Sequence, residues 1–153
     1  VILESRGLVA ALEAYVDQLA NERFRVALEA TPFPGRLAPR IEATVFAVVQ
    51  EAVNNVKRHA EAKHIWLRLA VQRDRLVVEI EDDGRGFRRD QVEQGYDQHC
   101  SFGLLNMRER AALLDGSLFV ESLSDGRPRG TRVLLRVPLR PEHWESRPEE
   151  GEM

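Results

Sequence analysis

Glu51, Asn55 and His59 recur at four-residue intervals in QEAVNNVKRHA. On a helix of about 3.6 residues per turn each lies about 40° round the axis from the last, so the three form one stripe. Asn54 and Arg58 fall on the adjacent stripe, while Ala52, Val53 and Val56 serve a core. Any exposed helix face is polar, so the stripe alone is weak grounds for a site. Two consecutive asparagines in mid-helix are harder to dismiss, because Asn has little helix propensity and its side chain competes with the backbone. An Asn side chain offers a neutral oxygen suited to a hard cation. A carboxylate one turn earlier can orient a nucleophile or accept its proton while the Asn holds Mg²⁺.

A second constellation is EIEDDGRGF, residues 79–87. A strand that runs into Asp-Asp and then Gly-x-Gly ends on carboxylates where the backbone must turn, and Gly84 and Gly86 permit positive φ and close approach to a ligand. Asp82 and Asp83 have opposite side-chain parity, so they cannot both point to the same face if the strand persists, and one could be buried with the other solvated. An ionised Asp can accept a hydrogen bond from an exocyclic amine such as that of adenine. The run is no dinucleotide fingerprint, lacking a third Gly and a following helix, and no GxxxxGK[ST] occurs. In SFGLLNMRERAALLDG a polar loop is expected to pass into a helix at Gly103, leaving free backbone N–H groups suited to phosphate oxygens. Arg108 and Arg110 could assist an anion, although exposed arginines are ordinary on a helix. Gly130-Thr131 allows close approach beside a hydroxyl and says little alone.

The elements that must hold these residues can be read from periodicity. Apolar residues step at helical spacing over 8–19, and over 40–60 despite the many valines there. Residues 24–28 read as a short strand, and the prolines of TPFPGRLAP enforce a loop. Residues 64–71 and 76–82 alternate as two strands joined by the polar turn QRDR. RRDQVEQGYDQHCS shows neither period and predicts a long mobile loop. Residues 104–114 predict a helix that Gly116 ends in a left-handed conformation, and 117–122 and 131–139 predict two closing strands. This order fits an α+β sandwich, a mixed sheet of about five strands covered on one face by three helices.

With 153 residues, 43% of them apolar and 31% charged, the chain can bury one core. A net charge of −3 leaves no field to attract phosphate backbones, so no nucleic-acid partner is expected. A lone Cys100 excludes an internal disulfide and a cysteine zinc site. His99, Cys100 and His143 make a poor metal set, two in a loop and one in a tail. No apolar run reaches the length of a membrane span, so no membrane contact is expected. The start at Val1 predicts a piece of a longer chain. Residues 1–6 are expected to end a preceding linker, 7–139 to form the domain, and the Pro- and Glu-rich residues 140–153 to form a flexible tail.

Taken together in order and spacing, QEAVNNVKRHAEA, DDGRGF, FGLLNMRERAALLDGSLFVES and GTRVLLRVPL resemble the catalytic and ATP-binding domain of bacterial two-component sensor histidine kinases. More narrowly they resemble the nitrate- and nitrite-sensor subfamily that includes the thermosensing lipid-fluidity kinase. The resemblance covers about residues 7–139. It implies the Bergerat-type fold shared with gyrase, ATP-driven heat-shock chaperones and mismatch-repair ATPases. It also implies Mg-ATP as substrate and cofactor, ADP as product, and γ-phosphoryl transfer to a histidine on a separate phosphoacceptor and dimerisation domain, then to a response regulator receiver domain.

By that resemblance Glu51 helps activate the attacking histidine, Asn55 ligates Mg²⁺ with Asn54 nearby, and Arg58 and His59 lie near the phosphates. Asp83 takes the role of the DxGxG aspartate on the adenine amine, with Gly84, Gly86 and Phe87 beside it. Gly103 and Leu104 border the phosphates, Thr131 lies near adenine, and residues 88–102 form an ATP lid ending at Ser101 and Phe102. Ser101 stands where the family usually has Gly. No phosphoacceptor helix pair with an H-[DE] signature is found among the 153 residues. The resemblance also implies a cytoplasmic domain of a soluble or inner-membrane-anchored parent, monomeric as a fragment. Two other readings remain open at this point: an anti-sigma-type serine/threonine kinase of the same fold, and a non-catalytic ATP-sensing module.

Overall fold

In the strand Arg75–Asp82, the inward positions are Leu76, Val78, Ile80 and Asp82, all buried, and the residues between them are half-buried on the other side. The strand His64–Gln72 buries Ile65, Leu67 and Leu69 in the same way, and Thr131–Pro138 buries Val133, Leu135 and Val137. Alternation of this kind gives a sheet one apolar face, which must be covered. The computed structural model describes residues 2–20, 23–60, 62–84, 98–122 and 130–145, with the backbone alone at 59, 60 and 98–102.

The strands are β1 (Arg25–Ala30), β2 (His64–Gln72), β3 (Arg75–Asp82), β4 (Ser117–Ser122) and β5 (Thr131–Pro138), in sheet order β1-β2-β3-β5-β4. β1 runs parallel to β2 and the other pairs are antiparallel. A parallel pair needs a crossover, and helix α3 (Pro39–Asn55) supplies it. β2 and β3 are joined by a two-residue turn in which Arg73 takes a φ of 57. Helices α1 (Ile2–Arg6), α2 (Leu8–Leu19), α3 and α4 (Gln98–Leu113) complete the fold, with α2, α3 and α4 on the apolar face. This is the mixed sheet and one-sided helical layer expected from the sequence.

Pro39 occupies the first turn of α3, where its missing N–H costs nothing. Val45, Val48, Val49, Ala52 and Val53 are buried together, and this packing holds a helix whose valines and asparagines would not sustain it in isolation. After Asn55 the α-helix gives way to a π-helical turn over Val56–Ala60. Such a wider turn rotates the residues beyond it about the axis, so the expected stripe is regular from Glu51 to Asn55 and not through His59.

α4 begins at Gln98 rather than at Leu104. Its end also differs from expectation. Asp115, not Gly116, takes the left-handed conformation, with φ 54, and the Gly116 and Asp115 amides close back on Ala111 and Ala112. Gly116 is needed for a different reason: a Cβ there would lie 2.5 Å from the Arg136 carbonyl oxygen.

The expected tail is structured in its first part. Pro141–His143 forms a 3₁₀ turn, Trp144 bridges to Leu37, and the Ala38 and Glu145 amides donate to His143 and Arg36 carbonyls at 2.7 and 2.8 Å. Trp144 is the reason, because its half-buried side chain packs against the core. Among the described residues no helix is long and apolar enough to cross a membrane.

Candidate functional site

Two groups of side chains gather at the ends of α3 and β3. The first is built on the last turns of α3, where Glu51, Asn54 and Asn55 are half-buried and Arg58, in the π-helical turn, is exposed. Gly103 of α4 sits directly over two of them. A Cβ at Gly103 would lie 2.7 Å from Glu51 Oε1 and 3.0 Å from both Nδ2 and Oδ1 of Asn55, so a side chain there would displace these tips from where they now stand. The buried Leu104 and Met107 anchor α4 at that height.

Asn55 Oδ1 is buried and accepts no hydrogen bond among the described residues. A buried oxygen without a donor is costly, and one cation or water would relieve it. The donor chemistry fits a hard cation that needs few protein ligands. Among the described residues no cluster of His, Cys, Asp or Glu could hold a metal by itself, so such an ion would sit on Asn55 with ligand oxygens and water, the usual habit of Mg²⁺.

The second group lies where β3 ends. Asp82 is 3% exposed, points to the helical side with the apolar residues of its strand, and accepts the Gly84 N–H on Oδ1 at 2.8 Å. The Thr131 N–H also donates to its carboxylate, as the direct pairing of Asp82 with Thr131 across β3 and β5 allows. Burial pushes the Asp82 carboxyl up to about 6, against these two hydrogen bonds and with help from the neighbouring Asp83 and Glu81 charges. Gly130, at φ 146, is pressed against the same strand end: a Cβ there would lie 1.8 Å from the Asp82 carbonyl oxygen.

Asp83, the residue expected beside a ligand amine, is placed away from this group. Its carboxylate turns back onto the start of β2, where Oδ1 accepts the Lys63 and His64 N–H groups at 2.8 Å each and Oδ2 lies 2.7 Å from His64 Nδ1. Burial works to raise its carboxyl, but the His64 ring and the two amides outweigh it and hold the group below the ordinary carboxylate range. The His64 ring in turn stacks on Trp66, with centroids 5.7 Å apart. The reason is strand parity: Asp82 shares the inward face with Ile80, and Asp83 therefore cannot. That signal was legible in the alternation of Leu76, Val78 and Ile80.

The structure thus brings Glu51, Asn55 and Gly103 together, and Asp82, Gly84, Gly130 and Thr131 together. Gly103 lies inside α4 rather than at its start, so its amide is not one of the free ones of a helix N-terminus. His59 is described by its backbone within the π-helical turn, and Ser101 and Phe102 by theirs within α4. Gly86, Phe87 and residues 88–97 of the expected lid lie outside the described residues.

Comparison with known proteins bears on the family and the fold. The chain is 38% identical over 143 residues to an uncharacterized sensor-like histidine kinase of Chloroflexus aurantiacus, covering 91% of this chain and 24% of that protein. It is 38% identical over 104 residues to the signal transduction histidine-protein kinase/phosphatase DegS of Bacillus subtilis, covering 68% and 26%. The chain therefore spans about a quarter of the length of these two relatives. Its fold matches the histidine kinase domain of the Erythrobacter litoralis EL346 blue-light activated histidine kinase with a TM-score of 0.66 at 23% identity, over 87% of this chain and 59% of that one. Residues 41–141, which run from the first turn of α3 past the end of β5 and so carry both groups, match the family described as histidine kinase-, DNA gyrase B-, and HSP90-like ATPase. The chain belongs to that ATPase family.

Proposed function

We propose that this chain is the ATP-binding catalytic domain of a sensor histidine kinase. It binds Mg-ATP in the cytoplasm and passes the γ-phosphoryl group to a histidine on a phosphoacceptor and dimerisation domain, leaving ADP. The phosphoryl group then goes to an aspartate on a response regulator receiver domain. The observation that carries the reading is the buried Asn55 Oδ1, without a hydrogen-bond partner among the described residues, one turn from Glu51 and beneath the Gly103 backbone.

Transfer of this kind needs little covalent chemistry from the protein and much positioning and charge neutralisation. Asn55 would hold Mg²⁺ through Oδ1, and the ion when bound would offset charge on the transferring phosphate oxygens. Glu51, one turn earlier on the same face, orients the attacking imidazole and accepts its proton. Arg58 and His59 add positive charge beside the phosphates, with Asn54 next to them, and Gly103 and Leu104 border the phosphate path.

Asp82, rather than Asp83, is the acceptor for the adenine amine. It is the carboxylate on the helical side of the sheet, and its two backbone hydrogen bonds leave lone pairs to spare. Gly84 and Gly130 keep the backbone low around it, and Thr131 flanks the base.

The division of labour is testable by pairing binding with transfer. Asn55→Ala should abolish the Mg²⁺-dependent part of ATP binding. Glu51→Gln should bind nearly as wild type and slow transfer by ~10²–10⁴-fold. Equal loss of binding in both variants would contradict these roles.

A further inference from the structure

Glu42 and Asp82 are the buried charged residues among those described, and the proposed reaction uses only Asp82. The Glu42 side chain, 3% exposed, lies between the first turn of α3 and the break that separates α1 from α2. Its Oε2 accepts the Leu8 N–H at 3.0 Å, and its Oε1 accepts the Arg36 guanidinium at 3.0 Å. Leu8 opens α2, and the residue before it, Gly7, has no side chain with which to cap a free amide. Glu42 supplies that cap from another helix. Arg36 meanwhile donates to the carbonyls of Leu3, Glu4 and Ser5 at 3.3, 3.2 and 3.5 Å, in α1. The Glu4 and Ser5 carbonyls are among those a helix end leaves open, the Leu3 carbonyl also accepts the Gly7 N–H at 3.1 Å, and a cation is favoured at such an end.

One ion pair therefore grips both sides of a glycine bend. Gly7 has φ 92 and ψ −178, a conformation open essentially to Gly alone. A Cβ on Gly7 would lie 3.0 Å from Arg36 Nε and 3.2 Å from Glu42 Oε2, so the bend rests directly on the pair. α1 has five residues, too few to hold a helix in water unaided, and its direction depends on what it is fastened to.

We propose that the Arg36–Glu42 pair is a positioning latch: it sets the angle at which α1 meets α3, and so aims a phosphoacceptor domain joined through α1 at Glu51 and Asn55. The last part rests on the function proposed above. α3 is the lever. Glu42 lies in its first turn and Glu51 about 14 Å along the same rigid rod at about 1.5 Å per residue, so fixing α1 to one end fixes it relative to the transfer residues near the other.

The test uses nitroxide labels at Glu4→Cys and Arg110→Cys, both exposed, in a Cys100→Ser background. The distance distribution is read by pulsed electron resonance with the latch intact, with Arg36→Lys and with Glu42→Gln. Affinity for a non-hydrolysable Mg-ATP analogue is measured on the same proteins, and histidine phosphorylation in the full-length kinase carrying each latch substitution. Arg36→Lys keeps the charge and the pairing with Glu42 but loses the fork that reaches three carbonyls, so it decides the matter if Glu42→Gln fails to fold. The latch predicts one narrow distance that broadens in the variants, with unchanged analogue affinity. It also predicts a loss of about tenfold or more in phosphorylation, the scale on which misplacement acts. A distribution left unchanged by Arg36→Lys, or already broad in the parent, overturns the latch, as does broadening without loss of phosphorylation. Failure of the intact chain to bind nucleotide would instead overturn the proposed function, while the distance measurement would still decide whether the pair sets the angle of α1.

Discussion

At the end of β3 the backbone places one carboxylate on each side of the sheet, and the two are pushed in opposite directions. Asp82, buried, is raised to about 6; Asp83, held by His64 and two amides, is lowered. A carboxyl that binds its proton more tightly in the folded chain than in the unfolded one stabilises the fold at low pH. That contribution is lost as pH rises between about 4 and about 6. At neutral pH the ionised Asp82 therefore works against folding, by about 3 kcal/mol, and in the proposed function it is the acceptor for the adenine amine.

Substitution separates the two carboxylates. Asp82→Asn should melt at a higher temperature than wild type at about pH 7.5, above that window, yet bind ATP more weakly and discriminate less against GTP, as parallel thermal melts and titrations would show. Wild-type affinity for ATP should itself rise with pH up to an inflection near about 6, and Asp82→Asn should remove the inflection. Asp83→Asn should leave nucleotide selectivity unchanged, because its carboxylate is committed to β2.

Among the elements, α3 carries Glu51 and Asn55, and α4 carries the Gly103 backbone that covers them. That Glu51 and Asn55 share one face was legible in sequence from their four-residue step; that Gly103 lies over them was not, since it was expected at a helix start and sits inside α4. The π-helical turn at Val56–Ala60 was not, since no single residue type marks where a helix widens. The helical state of Gln98–Phe102 was equally hidden, because QHCSF has no helical periodicity and its assignment belongs to the backbone of α4. Gly116 was expected to end α4 in a left-handed conformation, which Asp115 takes instead, and its own need for glycine comes from the Arg136 carbonyl on a strand distant in sequence.

The glycines separate function from stability. Gly103→Ala meets only the tips of Glu51 and Asn55, which can move, and gains about 1 kcal/mol of helix propensity. It should leave the melting temperature unchanged or higher while cutting phosphotransfer. Gly116→Ala meets a backbone carbonyl that cannot step aside, and should cost about 1–3 kcal/mol in denaturant unfolding.

Over the whole molecule the sheet divides the two kinds of residue cleanly. Among the described residues its helical side is apolar, with Asp82 as the buried charged exception. Its open side carries an ion-pair ladder in which Arg68 bridges Glu29, Glu79 and Glu81, and Arg132 bridges Glu79, Glu81 and Glu121. Strand alternation made the two sides readable from sequence, down to the order of elements. The course of residues 140–145 was not readable, because a Pro- and Glu-rich composition is a poor guide where one tryptophan finds a partner at Leu37. Truncation after Leu139 should therefore uncover Leu37 and lower stability by about 2 kcal/mol in denaturant titration; an unchanged midpoint would restore the reading of this stretch as a tail.

The most direct test of the central claim, that Asn55 and Asp82 hold the two ends of one Mg-ATP, is calorimetric titration of the chain with ADP and a non-hydrolysable ATP analogue. It is run with and without Mg²⁺, on wild type, Asn55→Ala and Asp82→Asn. The account predicts adenine-selective, Mg²⁺-assisted binding in the wild type, loss of the Mg²⁺ dependence in Asn55→Ala and loss of the adenine preference in Asp82→Asn. Wild-type binding that is indifferent to Mg²⁺ and to the base, or that survives unchanged in both variants, would contradict it.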